Sequence, residues 1–291
     1  MTIQKIGVCG AGMMGSEIAL VFALADRKVR LMDTDKAFVD KAMKKLESTL
    51  DSGIGRGFYT EADKPRALAN IETSTDVSSF GDVDMVIEAV TEDQAVKAKV
   101  YKDLDAVLKP NAIIASNTSS ISISVLASNF SEARQKNFLG LHFFSPVTRM
   151  KLVEVISGFD SDPEVVKAAT QACEDVGKSP IQVKDVVGFA VNRILFAMWD
   201  EAIRLVEEGA CTPEDIDTGC RLGLGHPVGP FELMDNITLD LTLKVSQILE
   251  DAYGDRMHTR PTIKQLHAAG RLGRRYGRGW YRYDDKGKRV G

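Results

Sequence analysis

The stretch "IQKIGVCGAGMMGSEIALVFALADRKVRLMD", residues 3–33, decides the fold. Its opening, "IQKIGVC" (3–9), reads as a short β-strand, residues 14–26 as a helix, and "KVRLM" (28–32) as a second strand. Between strand and helix stand Gly10, Gly12 and Gly15, with Met13 and Met14 inside the loop. The first glycine permits a tight turn, the second lets backbone approach a pyrophosphate, and the third lets the helix pack closely on the strand. Phosphates would then meet free N–H groups at the helix N-terminus. Asp33 ends the second strand, where a carboxylate suits a ribose 2′-hydroxyl. Its competing assignment is the N-cap of the helix beginning near Lys36, for which Asp35 is better placed. A carboxylate at that point repels a 2′-phosphate, so NAD is favoured over NADP. FAD uses a similar loop and stays open on these residues alone.

Outward from this unit the alternation continues. Helical stretches at 36–51 and 61–69 precede "VDMVIEAV" (83–90, strand), a helix at 92–108, "NAIIAS" (111–116, strand), a short helix near 121–128 and "NFLGLHFF" (137–144, strand). Strands apolar throughout, alternating with amphipathic helices, imply a parallel sheet covered on both faces. That is a Rossmann-like, doubly wound α/β domain. "KLVEVI" (151–156) and "PIQVK" (180–184), flanking a helix at 163–176, extend the sheet. From "VVGFAVNRILFAMWDEAIRLVEEG" (186–209) onward the pattern is helical, beginning near Val187, with further helices at 213–222, 238–251 and 261–269. The expectation is therefore two domains, 1–184 and an all-helical 185–291.

Bulk properties remove several function classes. Apolar residues at 44% and charged residues at 27% of 291 describe a globular chain, and a net charge of −4 supplies no global field for nucleic acid or membrane. The four cysteines form no C-x-x-C pair, so neither a metal site nor a disulfide framework is expected, and a reducing cytoplasm fits. The N-terminal apolar run imitates a signal peptide, but Ser16, Glu17 and three glycines interrupt it. No later run reaches the length of a membrane-spanning helix. The segment 256–291 is rich in Lys and Arg, interleaved with Tyr276, Trp280, Tyr281 and Tyr283. It is short within an acidic protein, so a solvated tail lending a cation to cofactor or substrate phosphates is preferred to nucleic-acid binding.

Four polar residues occupy apolar or strand-end positions. Ser119, in "ASNTSS", follows a strand end, where ligands bind in this fold, but it also suits the N-cap of the next helix. Asn192 has Gly188, Phe189, Leu195 and Phe196 at helical spacings, so its amide is hydrogen-bonded either to protein or to ligand. His142 amid Leu and Phe is by itself more often a core histidine than a catalyst. Its place at the end of a strand of the nucleotide-binding sheet, and Glu154 on the next apolar run, shift that reading toward proton transfer. Glu154 pointing to solvent from an edge strand is the alternative.

The motifs "GAGMMG" (10–15), "VIEAVTED" (86–93), "ASNTSS" (115–120), "GLHFFSPVTRMKLVEVI" (140–156), "GFAVNRIL" (188–195), "GHPVGPFELMD" (225–235) and "GRGWYRY" (277–283) run almost end to end. In this order they are highly specific. The chain resembles an L-3-hydroxyacyl-CoA dehydrogenase of the short, single-function 3-hydroxybutyryl-CoA type. That resemblance implies an NAD domain, a helical domain that mediates homodimerisation, and an active site between domains. It implies reversible oxidation of an L-3-hydroxyacyl-CoA thioester, with His142 as base and Glu154 as its partner. Ser119 and Asn192 match substrate- and cofactor-contacting positions, Glu92 and Lys97 match positions lining the NAD site, and Arg275 falls where relatives often carry a cofactor-proximal lysine.

Three residues depart from the commoner pattern: Ser145 for asparagine, Thr238 for glycine, and Arg275, which keeps the lysine charge but not its geometry. Candidates for the CoA 3′-phosphate are Lys41, Lys44, Lys45 and Arg56. Two rival readings are a β-hydroxyacid dehydrogenase, whose catalytic lysine is replaced here by Asn192 and Arg193, and a non-catalytic dinucleotide sensor.

Overall fold

The computed structural model describes residues 3–290 and divides between Phe189 and Ala190 into two compact units. The first carries eight strands: β1 (Lys5–Cys9), β2 (Lys28–Met32), β3 (Ile71–Ser74), β4 (Met85–Glu88), β5 (Ile113–Ser116), β6 (Phe138–Phe143), β7 (Leu152–Ser157) and β8 (Ser179–Lys184). Its helices are α1 (Met13–Leu24), α2 (Lys36–Gly55), α3 (Asp63–Ala69), α4 (Gln94–Val107), α5 (Ile123–Ala127), α6 (Glu132–Gln135) and α7 (Pro163–Asp175).

All strands join one sheet in the order β3-β2-β1-β4-β5-β6-β7-β8. The order reverses between β1 and β4, which opens a crevice beyond their carboxyl ends. β1 to β6 are parallel, and β4, β5 and β6 are buried at every residue, as their unbroken apolar runs require. A wholly parallel sheet is not what forms. β7 runs antiparallel to β6, because the segment between Phe143 and Leu152 is too short for a crossover. β3 escapes the sequence pattern altogether. It is a four-residue edge strand with Glu72 and Thr73 exposed, and so has little apolar signal.

Each face of the sheet is covered. Ile18, Leu20 and Phe22 of α1 pack with Leu46 and Leu50 of α2 against Val8, Leu31 and Ile87. On the other face Tyr101 and Leu104 of α4 join Phe80, Leu126, Phe130 and Phe138. Asp35, Asp93 and Asp162 cap α2, α4 and α7 by accepting from Ala37 N, Val96 N and Glu164 N.

The second unit is helical: α8 (Val191–Glu207), α9 (Pro213–Gly223), α10 (Pro230–Ile237), α11 (Leu239–Tyr253) and α12 (Pro261–Ala268). The helix expected from Val187 begins four positions later. Gly188 and Phe189 adopt φ of +74° and +47°, left-handed conformations that no right-handed helix can include. α10, absent from the sequence reading, starts at Pro230 with its first N–H groups held by Asp217, which accepts from Phe231 N (2.8 Å) and Glu232 N (3.1 Å).

The expectation of a solvated tail is corrected. Tyr281 and Tyr283 are buried, Asp235 accepts from Trp280 N, Tyr281 N and Tyr283 Oη, and Tyr281 donates to Asp217 (2.7 Å). The aromatic residues bind this segment to its own unit, while the cations between them stay outside. Among the described residues no helix is long and apolar enough to cross a membrane.

Candidate active site

The glycine loop has the shape a dinucleotide needs. Gly10 takes φ +103°, and a Cβ there would lie 2.7 Å from the Ala89 carbonyl, so the loop presses on the end of β4. A Cβ at Gly15 would meet the Gly10 carbonyl at 1.9 Å, whereas one at Gly12 would meet nothing within 4 Å. The close helix–strand approach thus belongs to Gly15, and Gly12 fronts open space where a pyrophosphate fits. Unlike α2, α4 and α7, α1 has no side chain capping its first turn. Its N–H groups suit an anion. Met13 is exposed and Met14 half-buried beside them. Asp33 does not cap α2. It accepts from Ala11 N (2.7 Å) and Thr34 N (2.8 Å), which places its carboxylate against the loop.

At the end of β4 lies a charge network. Glu88, fully buried, accepts from Lys97 Nζ, Tyr101 Oη and Ser116 Oγ, each at 2.7 Å, and from Val90 N at 2.8 Å. Lys97, itself 1% exposed, also lies 3.4 Å from Glu92 Oε2. Glu92 in turn accepts from Thr118 Oγ1 (2.6 Å), Ser119 N (2.8 Å), and Ser120 N and Oγ (3.1 and 3.0 Å). Burial alone would raise the Glu92 carboxyl. The Lys97 charge and the bonds from Thr118, Ser119 and Ser120 outweigh it and hold the group below the usual glutamate range.

Lys97 is therefore a buried cation between two carboxylates. Glu88 was missed by sequence reasoning. The signal was the pair Lys97 and Tyr101, four apart on the otherwise apolar buried face of α4, which required a buried acceptor beneath it.

Ser119 follows β5 in the loop that Glu92 gathers, and it is not the N-cap of α5. Ser122 has that role, accepting from Val125 N, with Asp185 holding Ile123 N and Ser124 N. The same loop reaches β6 through Asn117, which accepts from Phe143 N at 2.9 Å. One residue earlier on β6 stands His142, 4% exposed, directly opposite Glu154 in the β6–β7 register. Its Nδ1 lies 2.7 Å from Glu154 Oε2, and Glu154 is fully buried, so the solvent-facing alternative for Glu154 does not hold.

An ionised carboxylate can only accept, so in a neutral ring beside it the proton belongs on Nδ1 and Nε2 keeps its lone pair. The ring packs against Phe144 (centroids 4.5 Å apart) and Phe189 (5.8 Å). The left-handed backbone at Phe189 delivers that second ring.

The remaining candidates are spread more widely. Ser145 and Pro146 are exposed. Lys45 and Arg56 line a cleft of about 540 Å³ in the first unit together with Glu17, Tyr59, Thr148 and Arg149, while the exposed Lys41 and Lys44 are outside its lining. In the second unit Asn192 is the second residue of α8 and half-buried, and Arg275 is exposed in a short 3-10 turn, Arg274–Tyr276. Thr238, with φ +104°, joins α10 to α11 and caps the latter by accepting from Leu241 N.

Two family models match. "3-hydroxyacyl-CoA dehydrogenase, NAD binding domain" covers residues 5–186, and "3-hydroxyacyl-CoA dehydrogenase, C-terminal domain" covers residues 188–283. The chain is 40% identical over 282 residues to 3-hydroxybutyryl-CoA dehydrogenase of Bradyrhizobium diazoefficiens, covering 97% of this chain and 96% of that protein. It is 36% identical to the enzyme of that name from Clostridioides difficile, over 97% of this chain and all of that one. The crystal structure of (S)-3-hydroxybutyryl-CoA dehydrogenase from Ralstonia eutropha superposes with a TM-score of 0.94 at 42% identity, covering 98% of this chain and 100% of that one.

Proposed function

The chain belongs to the 3-hydroxyacyl-CoA dehydrogenase family and is an NAD-dependent oxidoreductase, and from that premise we propose that it interconverts (S)-3-hydroxybutyryl-CoA and acetoacetyl-CoA with His142 as the general base. The substrate is the one for which the full-length relatives are named. The observation that carries the mechanism is the 2.7 Å contact between His142 Nδ1 and the buried Glu154 carboxylate.

The bound nicotinamide supplies the acceptor for the hydride leaving C3. Neutral His142 takes the 3-hydroxyl proton at Nε2, and in the reverse direction returns it. Glu154 accepts from Nδ1–H throughout, fixing the tautomer and stabilising the imidazolium as charge develops. Because that acceptor is already in place and dehydrated, it needs no reorganisation during the step. Ser119, on the loop after β5, and Asn192, in the first turn of α8, are assigned to hold the reacting oxygen or the thioester carbonyl by hydrogen bonds. Gly10, Gly12 and Gly15 with the first turn of α1 receive the pyrophosphate, and Asp33 the adenosine ribose. Met13 and Met14 flank that path. Glu92 and Lys97 shape the nicotinamide side of the site, and Arg275 is assigned to cofactor phosphate.

Association into a homodimer through the second unit is part of this reading. Ile194, Leu222, Leu224 and Leu241 stay exposed on the isolated chain and support it. A reducing cytoplasmic setting is supported by four cysteines, all free. The direct test is NADH consumption, followed by its absorbance, on addition of acetoacetyl-CoA. Turnover supports the assignment. NADH binding without turnover would leave a dinucleotide sensor.

A further inference from the structure

Glu88 is a buried ionisable group that the mechanism above does not use. It ends β4 between Cys9 of β1 and Ser116 of β5, and its neighbour Ala89 backs Gly10 at the glycine loop. It is fully buried, with Oε1 taking Val90 N and Lys97 Nζ and Oε2 taking Tyr101 Oη and Ser116 Oγ. A buried ion pair adds little net stability compared with an apolar pair of the same volume. Stability alone is therefore a weak account of a carboxylate with four donors at this point in the sheet.

Two consequences follow from the geometry. The first is positional. Glu88 fixes the Lys97 ammonium, Lys97 faces Glu92, and Glu92 gathers the amides and hydroxyls of the Thr118–Ser120 loop. The second is electrostatic. Two carboxylates surround one ammonium, so the network keeps one net negative charge at the carboxyl end of β4, beside the glycine loop. In a buried setting such a charge is weakly screened and discriminates between ligands that differ by one positive charge. The oxidised nicotinamide ring is cationic and the reduced ring is neutral.

We propose that Glu88 is a positioning and specificity-determining residue: it holds Lys97 beneath the Ser119 loop and leaves the site a net negative charge that favours NAD+ over NADH. This rests on the NAD reading above. The test is the pair of dissociation constants for NAD+ and NADH, measured by calorimetry on the whole protein and its variants. Glu88→Gln keeps the shape of the side chain and removes its charge. It weakens NAD+ relative to NADH by about five- to tenfold. Tyr101→Phe removes one hydrogen bond to the same carboxylate without changing charge, and leaves the ratio within about twofold.

If Glu88→Gln does not fold, Glu92→Gln on the more exposed carboxylate shifts the ratio in the same direction. A parallel change in both constants, an unchanged ratio, or an equal shift in Tyr101→Phe would overturn the inference. Failure of the unaltered protein to bind either nucleotide would instead contradict the NAD reading on which the inference stands.

Discussion

His142 and Glu154 face each other across the antiparallel pair β6–β7, with Nδ1 2.7 Å from Oε2 and both side chains buried. The pairing depends on the one strand that breaks the parallel order. In a wholly parallel sheet these two positions, twelve apart in sequence, would have no common rung. Glu154→Gln keeps the shape and removes the counter-charge, and its amide can turn an N–H toward Nδ1 and reverse the tautomer. The expected result is a loss of about two to three orders of magnitude in turnover with little change in the melting temperature. Turnover within about twofold of the unaltered protein would dissolve the pair.

The glycines of the loop separate by function. Gly12→Ala places its methyl in open space and leaves the fold intact, but narrows the approach to the pyrophosphate. NADH affinity falls about tenfold or more with the melting temperature nearly unchanged. Gly15→Ala drives its methyl against the Gly10 carbonyl, so it lowers the melting temperature itself. Equal thermal losses in the two variants would refute this division.

Acid sensitivity follows from Glu92. Its folded carboxyl is held below its ordinary value of 4.5, so its charge stabilises the fold above that value. The contribution is lost as pH falls through the depressed folded value. Comparing urea midpoints of the protein and Glu92→Gln from about pH 7 to about pH 3 reads this directly. The gap between them is constant near neutrality and closes only as the solution becomes more acidic than the free glutamate range. A gap that widened on acidification would have the wrong sign.

In the proposed function Asp33 is the residue that sets the choice between the two nicotinamide cofactors. Its carboxylate, held by Ala11 N and Thr34 N, presents a negative charge that a 2′-phosphate must approach. Asp33→Ser removes it and shifts the kcat/KM ratio toward NADP by about tenfold or more. An unaltered ratio would mean that the ribose end is read elsewhere.

Much of this was legible in the chain because it is written in local patterns. Gly10, Gly12 and Gly15 sit between a strand and a helix, and their backbone demands are those of the folded loop. Central strands such as "MVIE" and "IIAS" announce burial on both faces by being apolar throughout. Asp35 was distinguishable from Asp33 because the N-cap register is set by one or two residues.

What escaped depends on contacts distant in sequence or on backbone states that side chains do not advertise. Glu88 reads as one acid in an apolar strand, and its meaning comes from Lys97, Tyr101 and Ser116, which only the fold assembles. Phe189 reads as helix-compatible, yet it takes a left-handed conformation and delays α8. The basic tail looked solvated because its cations are conspicuous, while Tyr281 and Tyr283 anchor it through buried Asp217 and Asp235.

Whether His142 takes the substrate proton is read out by single-turnover NADH formation in His142→Gln. The variant is saturated with NAD, mixed with (S)-3-hydroxybutyryl-CoA, and followed by absorbance, with its NADH dissociation constant measured alongside. The expected result is an unchanged dissociation constant and a first-turnover rate lower by about two to four orders of magnitude. A folded, NADH-binding variant whose first turnover runs at the rate of the unaltered protein would contradict it.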